Sequence, residues 1–146
     1  MLPTVQEIKN WYNRRYALRG IDASRPYEAY PIFLDYLGAQ KGRKLLDVGC
    51  GTGFLLLAAS KRGLKTYGID ISEEAIKIAK NASRDSFVAV SRGEDLPFRD
   101  NTFDYITCLG SLEHFLDMNK SLQEMRRVAK EDAIFCIMVP NSNFIF

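Results

Sequence analysis

The stretch LLDVGCGTG at residues 45–53 decides the fold. An apolar run leads into three alternating glycines, Gly49, Gly51 and Gly53, and a helical pattern, Phe54–Arg62, follows directly. A strand, a glycine turn and a helix in this order let the backbone approach a ligand where a side chain would clash. The stretch therefore predicts a binding site for a nucleoside-type cofactor at the carboxyl edge of a parallel sheet.

Short apolar segments alternate with longer amphipathic ones on both sides of this turn. Continuous apolar runs are typical of strands covered on both faces, and their alternation with helices predicts right-handed crossovers. We therefore predict an α/β fold with a doubly wound parallel sheet. The predicted strands are Lys44–Val48, Lys65–Ile69, Ser86–Val90, Phe103–Leu109 and Ala133–Val139. The other predicted helices are Ser72–Ala82 and Asp117–Lys130, and Ser91–Asp100 is predicted to be a loop.

The chain reads as one domain in two parts. Residues 1–42 are predicted to form a helical cap with two aromatic-rich helices, Val5–Leu18 and Arg25–Leu37, and residues 43–146 form the cofactor-binding core. The sequence stops at an apolar triplet, residues 144–146, directly after a turn-like segment. Natural termini are more often polar, so we expect the sequence to be cut within a larger protein.

Composition argues against several classes of function. The chain of 146 residues has a net charge of +2, too small and too dispersed to indicate nucleic acid as a partner. No apolar run approaches the length of a membrane span. The three cysteines are widely spaced, which is typical of reduced thiols in a cytoplasmic protein. A single histidine and no paired cysteines exclude a structural zinc site, and no metal is expected.

An acid at the end of the second predicted strand identifies the cofactor more closely. Asp70 can accept hydrogen bonds from both ribose hydroxyls, and Ser72 is available to cap the following helix. The glycines follow GxGxG, whereas a dinucleotide site has GxGxxG. Asp47 would repel a pyrophosphate but suits an ammonium group. The pattern therefore favours a nucleoside that carries an amino acid.

Four segments in order resemble the class I S-adenosylmethionine-dependent methyltransferases, with the closest likeness to the small-molecule branch that includes quinone-biosynthesis enzymes. They are LLDVGCGTG at 45–53, GIDIS at 68–72, GEDLPF at 93–98 and FDYITCLGSLEHF at 103–115. The resemblance implies a Rossmann-like sheet of order 3-2-1-4-5. The family's sheet continues with a sixth and a seventh strand, which we expect this sequence to lack. It also implies S-adenosylmethionine as cofactor, S-adenosylhomocysteine as product, and in-line methyl transfer to a small-molecule acceptor.

The resemblance also implies residue roles. Gly49 and Gly51 would lie under the methionine and ribose parts, Asp47 near the amino group, and Asp70 on the ribose hydroxyls. The other cofactor-binding candidates are Cys50 in the turn, Ile71 against adenine, Glu94 and Asp95 at the adenine edge, Leu109 and Gly110 beside the methyl group, and Tyr16, with Tyr12, covering the cofactor. Arg92 stands where many relatives carry an aspartate, so the side-chain contact to the adenine amine is expected to differ from that of the family.

His114 is the candidate catalytic base, because it is the one conventional base at neutral pH and follows the fourth strand. A structural role at a helix start is the alternative. Glu113 could orient His114 or bind substrate. Two other functions stay open from the sequence, a non-catalytic S-adenosylmethionine-binding module and an NAD-dependent oxidoreductase.

Overall fold

A five-stranded parallel sheet forms the centre of the protein in a computed structural model, which describes residues 1–139. The strands are β1 (Lys44–Val48), β2 (Lys65–Asp70), β3 (Phe87–Val90), β4 (Phe103–Leu109) and β5 (Ala129–Met138). Their order is β3-β2-β1-β4-β5, and every neighbouring pair is parallel. The predicted α/β class and the strand order 3-2-1-4-5 are confirmed.

Within residues 1–139, five α-helices accompany the sheet: α1 (Val5–Arg19), α2 (Pro31–Leu37), α3 (Phe54–Lys61), α4 (Glu73–Ala82) and α5 (Met118–Val128). Helix α4 begins as predicted, since the Ser72 hydroxyl accepts a hydrogen bond from the amide of Ala75 at 3.1 Å. The loop predicted at residues 91–100 contains no helix or strand, which confirms that prediction. Within residues 1–139, no helix is both long and apolar enough to cross a bilayer.

The core lies on both faces of the sheet. Neighbouring residues of a strand point to opposite faces, so Leu45 packs in a cluster with Leu34 and Leu56 while Leu46 packs with Phe103 and Met125. All of these side chains are fully buried. Burial on both faces explains why β1 is a continuous apolar run instead of an alternating one.

The second N-terminal helix is shorter than predicted. The prediction of a helix over Arg25–Leu37 is wrong in its first part, because a 3-10 turn forms at Tyr27–Ala29 and α2 begins only at Pro31. Pro31 has no amide hydrogen to donate to the preceding turn, so an α-helix cannot run through it unbroken. Proline is nevertheless well suited to the first helical position.

The boundary between α5 and β5 also differs from the prediction. Helix α5 ends at Val128 and β5 begins at Ala129, where the prediction extended the helix to Lys130 and began the strand at Ala133. The amide of Thr102 donates to the carbonyl of Val128 at 2.8 Å, and Ala129 pairs with Phe103. Because of this pairing, the chain enters β5 directly after α5, with no connecting loop. The prediction about the apolar end at residues 144–146 lies outside the described residues.

Gly53 lets α3 and α4 pack closely behind the glycine turn. Its φ of +83° lies in the left-handed region, and a Cβ built there would come within 2.9 Å of the backbone Cα of Ala79 on α4. The backbone of a packed helix cannot move aside cheaply. Gly53 is therefore needed for both its conformation and its lack of a side chain.

Gly53→Ala is expected to lower the free energy of unfolding by about 2–4 kcal/mol, because a strained φ and a backbone overlap add together. Gly38→Ala is the matched control, since Gly38 has a φ of +61° but open space around its Cβ position. The control should lose only about 1 kcal/mol. Urea unfolding measures both, and equal losses would contradict the packing role of Gly53.

Candidate functional site

The strand order brings the predicted cofactor-binding residues to one edge of the sheet. The carboxyl ends of parallel strands share an edge, and here they run in the order β3, β2, β1 and β4. Glu94 follows β3, Asp70 ends β2, Gly49 and Gly51 follow β1, and Gly110 follows β4. Residues far apart in the sequence therefore form one row.

A cavity of about 560 Å³ opens along this row. Sites for small molecules typically measure about 300–1,000 Å³. The sheet edge and its loops form one wall, and α1 with the segment after it forms the opposite wall. The predicted residues in the cavity wall are Tyr12, Tyr16, Asp47, Gly49, Cys50, Gly51, Asp70, Ile71, Glu94, Leu109, Gly110 and His114.

The glycine turn presents bare backbone to this cavity. Gly51 has a φ of +52°, and a Cβ there would lie 2.9 Å from the hydroxyl oxygen of Tyr16 on α1. A Cβ at Gly49 would overlap the hydroxyl of Ser111. Side chains at these positions would collide with Tyr16 and Ser111, which already contact the glycine backbone. The two glycines therefore let α1 and the loop after β4 close on the turn and form the cavity beside it.

Asp70 is a buried carboxylate held in place by the backbone. One oxygen accepts the amide hydrogen of Gly51 and the other accepts that of Ser72, both at 2.9 Å. Burial raises the pKa of Asp70, while these amide bonds act in the opposite direction. The amide of Ile71 also acts on this carboxylate, and because a carboxylate has about four acceptor sites, it can still accept from a further donor.

Asp47 is a second buried carboxylate in the cavity wall. The hydroxyl of Thr107 on the neighbouring strand donates to it at 2.7 Å. Burial raises the pKa of Asp47 from 3.8 to about 7, the Thr107 hydrogen bond lowers it, and the charge of Asp70 raises it further. Asp47 and Thr107 are paired in the β1–β4 register, so the partner could have been found once the strand order was known.

Polar contacts hold α1 over the cavity. The side-chain oxygen of Asn13 accepts the Ser72 hydroxyl at 2.7 Å and the Glu74 amide at 3.4 Å. Lys9 forms an ion pair with Glu73 at 2.7 Å, which contributes little because such pairs near the surface are screened. No residue of α1 is buried. The helix therefore contributes less hydrophobic free energy than the fully buried elements of the core do.

The loop after β3 differs from the expected adenine site. Glu94 is buried in the cavity wall and forms an ion pair with Arg92 at 3.2 Å. Asp95 does not line the cavity; it is exposed, and its amide donates to the Arg92 carbonyl at 3.3 Å. The Asp95 amide is thus engaged within the loop, and the structure does not bring Asp95 to the cavity with the other predicted residues.

His114 lies at the other end of the cavity, in a 3-10 turn at Leu112–His114. Its ring contacts the ring of Tyr12 edge-on, with 6.1 Å between centroids. The structure therefore brings the candidate base beside α1 and the end of β4. The side chain of Glu113 lies outside the described part of the chain, so its proposed partnership with His114 stays a prediction.

Arg25 is a cavity residue that the sequence analysis missed. Its guanidinium lies over the end of β4, with Nη2 3.4 Å from the Cβ position of Gly110 and 4.0 Å from the sulfur of Met138. Among the described side chains, no carboxylate pairs with it. Arg25 stands in an irregular segment before a proline, where no periodic pattern signals that it faces the site.

Asp47→Asn is expected to stabilise the protein at pH 8 and to have a smaller effect at pH 5. The folded pKa of about 7 lies above the ordinary value of 3.8, so the folded state holds the proton more tightly. Stability therefore falls as the pH rises through this window, and asparagine removes that loss. Urea unfolding at both pH values measures the difference. If the variant gained less stability over the parent at pH 8 than at pH 5, the raised pKa of Asp47 would be contradicted.

Comparisons with known proteins identify the family. Residues 46–137 match the family described as Methyltransferase domain. The chain is 42% identical over 101 residues to the demethylmenaquinone methyltransferase of Staphylococcus aureus, which covers 64% of this chain and 42% of that protein. It is 35% identical over 113 residues to the ubiquinone biosynthesis O-methyltransferase of Alkalilimnicola ehrlichii, covering 71% and 46%.

The structural comparison agrees. A SAM-dependent methyltransferase from Aquifex aeolicus superimposes with a TM-score of 0.66 at 30% identity, over 93% of this chain and 72% of that one. The chain spans less than half the length of the two quinone-pathway relatives. The matched residues include the glycine turn, Asp70 and the segment through His114. The chain belongs to the methyltransferase domain family, within the class I S-adenosylmethionine-dependent methyltransferases.

Proposed function

We propose that this protein binds S-adenosylmethionine along the row of strand ends and transfers its methyl group to a small-molecule acceptor. The observation that carries the proposal is the cavity between α1 and the glycine turn, with Asp47 and Asp70 buried in its wall. Family membership supports the cofactor. The names of the two quinone-pathway relatives support a small acceptor.

The parts of the cofactor follow the strand order in this proposal. Adenine lies between Glu94 and Ile71, and the ribose hydroxyls donate to the carboxylate of Asp70. The methionine part crosses the glycine turn toward the end of β4. There, Asp47 accepts from the ammonium group and Arg25 donates to the carboxylate, so each end of the amino acid has an oppositely charged partner.

The hydrogen bonds of the turn disfavour the alternative of a dinucleotide. A pyrophosphate binds to free backbone amides at a helix N-terminus. Here the amides of Gly49 and Cys50 both donate to the carbonyl of Ile69 at 2.8 Å, and the amide of Gly51 donates to Asp70. Two carboxylates beside the turn would also repel a phosphate. An NAD-dependent oxidoreductase is therefore not supported, in agreement with the family.

When bound, S-adenosylmethionine supplies a methyl group on a positively charged sulfur, a reactive donor for in-line displacement. The chain's own contribution is to position the reactants. Tyr12 and Tyr16 on α1 cover the cavity and exclude water. The His114 imidazole can take a proton from a hydroxyl on the acceptor, which makes the acceptor oxygen more nucleophilic.

A non-catalytic S-adenosylmethionine-binding module is the remaining alternative, because the same cavity would serve it. Calorimetric titration with S-adenosylhomocysteine and with NAD tests the cofactor part: we expect saturable binding of S-adenosylhomocysteine and no binding of NAD at the same concentrations. Preference for NAD would refute the proposal. Cofactor binding without transfer of labelled methyl to any aromatic or aliphatic acceptor tried would favour the binding module.

Two substitutions separate the halves of the cofactor site. Asp70→Asn should weaken S-adenosylhomocysteine and 5′-methylthioadenosine alike, by about tenfold or 1.4 kcal/mol, because both ligands carry the ribose. Arg25→Met should weaken S-adenosylhomocysteine roughly fivefold and leave 5′-methylthioadenosine unchanged, because the latter has no carboxylate.

Arg84→Met is the matched control for Arg25, since Arg84 is exposed and outside the cavity wall. It should leave both affinities unchanged. Equal weakening of the two ligands by Arg25→Met would mean that Arg25 supports the site's structure without contacting the carboxylate. Unchanged affinities in Asp70→Asn would refute the ribose assignment.

A further inference from the structure

Asp47 and Arg25 carry opposite charges in the wall of the same cavity and do not pair with each other. The buried carboxylate of Asp47 accepts from the Thr107 hydroxyl, while the Arg25 guanidinium lies 4.0 Å from the sulfur of Met138. Within residues 1–139, no ion pair joins the two groups. Opposite charges in a partly enclosed cavity attract each other more strongly than in bulk water, so their separation needs a cause.

Tyr30 is the residue of the cavity wall that interacts with both groups. Its side chain is buried, and burial together with the charge of Asp47 raises the pKa of Tyr30. The charge of Arg25, and hydrogen bonds that the side chains of Ser24 and Arg25 donate to the phenol oxygen, act in the opposite direction. The Tyr30 oxygen therefore gives the Arg25 guanidinium a partner other than the Asp47 carboxylate.

The Tyr30 ring is held by its neighbours. Its centroid lies 6.2 Å from that of Phe54 at an interplanar angle of 69°, and 6.4 Å from that of Phe33. Phe54 begins α3 directly after the glycine turn, and Tyr30 itself directly precedes α2. Aromatic rings that meet edge-to-face attract each other. Packing therefore fixes the position of the Tyr30 hydroxyl, whereas the long side chain of Arg25 has several rotatable bonds.

Resting on the proposed function, we propose that Tyr30 is a positioning residue that holds Arg25 away from Asp47, so that both charges can bind the amino-acid end of the cofactor. Without the Tyr30 hydroxyl, the Arg25 guanidinium would turn toward Asp47 and pair with it. The carboxylate and the ammonium group of the cofactor would then have to displace this internal ion pair before they could bind.

Tyr30→Phe tests the positioning role, because it keeps the packed ring and removes the hydroxyl. We expect S-adenosylhomocysteine to bind roughly fivefold more weakly to this variant. The affinity for 5′-methylthioadenosine should not change, because this ligand has neither the carboxylate nor the ammonium group. Calorimetric titration measures both affinities. Equal weakening of the two ligands, or no change in either, would overturn the inference.

Tyr27→Phe is the matched control. Tyr27 belongs to the 3-10 turn that precedes Tyr30, and its ring also meets that of Phe54 edge-on, with 6.1 Å between centroids. Tyr27 does not line the cavity. The control should therefore leave both affinities unchanged. A loss of S-adenosylhomocysteine affinity equal to that of Tyr30→Phe would show that packing of this segment, and not the Tyr30 hydroxyl, is responsible.

A double variant tests whether Tyr30 acts through Asp47. Asp47→Asn removes the charge that attracts Arg25, so adding Tyr30→Phe to it should cause no further loss of S-adenosylhomocysteine affinity. Residues that act through one another give such non-additive effects. A full fivefold loss in the Asp47→Asn background would mean that Tyr30 affects the ligand independently of Asp47, and would overturn the inference.

The pKa of Asp47 gives a readout that needs no ligand. It is about 7 in the parent protein. In Tyr30→Phe it should fall, because a guanidinium beside a carboxylate favours the ionised form. Carboxyl ¹³C NMR over a pH series measures it, and an unchanged pKa would overturn the inference. The other side chains that interact electrostatically or by hydrogen bonds with Asp47 are the same in both proteins, and these are Thr107, Asp70, Cys50 and Cys136.

The failure of this inference can be distinguished from the failure of the proposed function. If the parent protein binds S-adenosylhomocysteine and Tyr30→Phe binds it equally well, the positioning role is wrong and the cofactor proposal stands. If the parent protein does not bind S-adenosylhomocysteine, the proposed function fails, and the inference about the cofactor fails with it.

Discussion

The end of β2 fixes the backbone of the glycine turn. The Ile69 carbonyl accepts two successive amides, from Gly49 and Cys50, and the Asp70 carboxylate accepts the next one, from Gly51. With these amides directed into β2, the turn cannot offer them to a phosphate, and its open side presents glycine backbone to the cavity. The same carboxylate that shapes the turn keeps its remaining lone pairs at the cavity. The conformation of the glycine turn and its preference against phosphate therefore have the same cause, the hydrogen bonds from the turn to the end of β2.

The buried carboxylates illustrate how a binding site reduces stability. A side chain as buried as Asp47 would be less costly if it were apolar, and burial holds its pKa near 7 because the surroundings disfavour its charge. The Thr107 hydroxyl offsets only part of this cost. A cationic ligand group would offset more of it, since an opposite charge nearby favours the ionised carboxylate. The free energy of folding that the buried Asp47 charge costs is thus partly recovered when a cationic group of the ligand binds beside it.

The sequence predicts those parts of the structure that depend on local pattern. The strands, the Ser72 cap and the position of Asp70 follow from short apolar runs, a capping residue and a glycine turn, all read within a few residues. Arg25 and Ser111 reach the cavity from irregular segments, where no periodicity reports which way a side chain points. The first part of the helix predicted at Arg25–Leu37 does not form for a different reason, because Pro31 has no amide hydrogen to join α2 to the preceding turn. Asp95 was placed by motif position, but a hydrogen bond within its own loop decides where its amide points.

Helix α1 is linked by hydrogen bonds to the buried carboxylate of the cofactor cavity. Asn13 accepts the Ser72 hydroxyl, and the Ser72 amide donates to Asp70, so a continuous chain of hydrogen bonds runs from α1 to the carboxylate in the cofactor cavity. One face of α1 carries Tyr12 and Tyr16, which line the cofactor cavity. Because no residue of α1 is fully buried, the position of the helix depends on these polar bonds and on what fills the cavity. A ligand that contacts these two rings and Asp70 together therefore favours the position of α1 over the cavity, and the contacts made by α1 add to the affinity for that ligand.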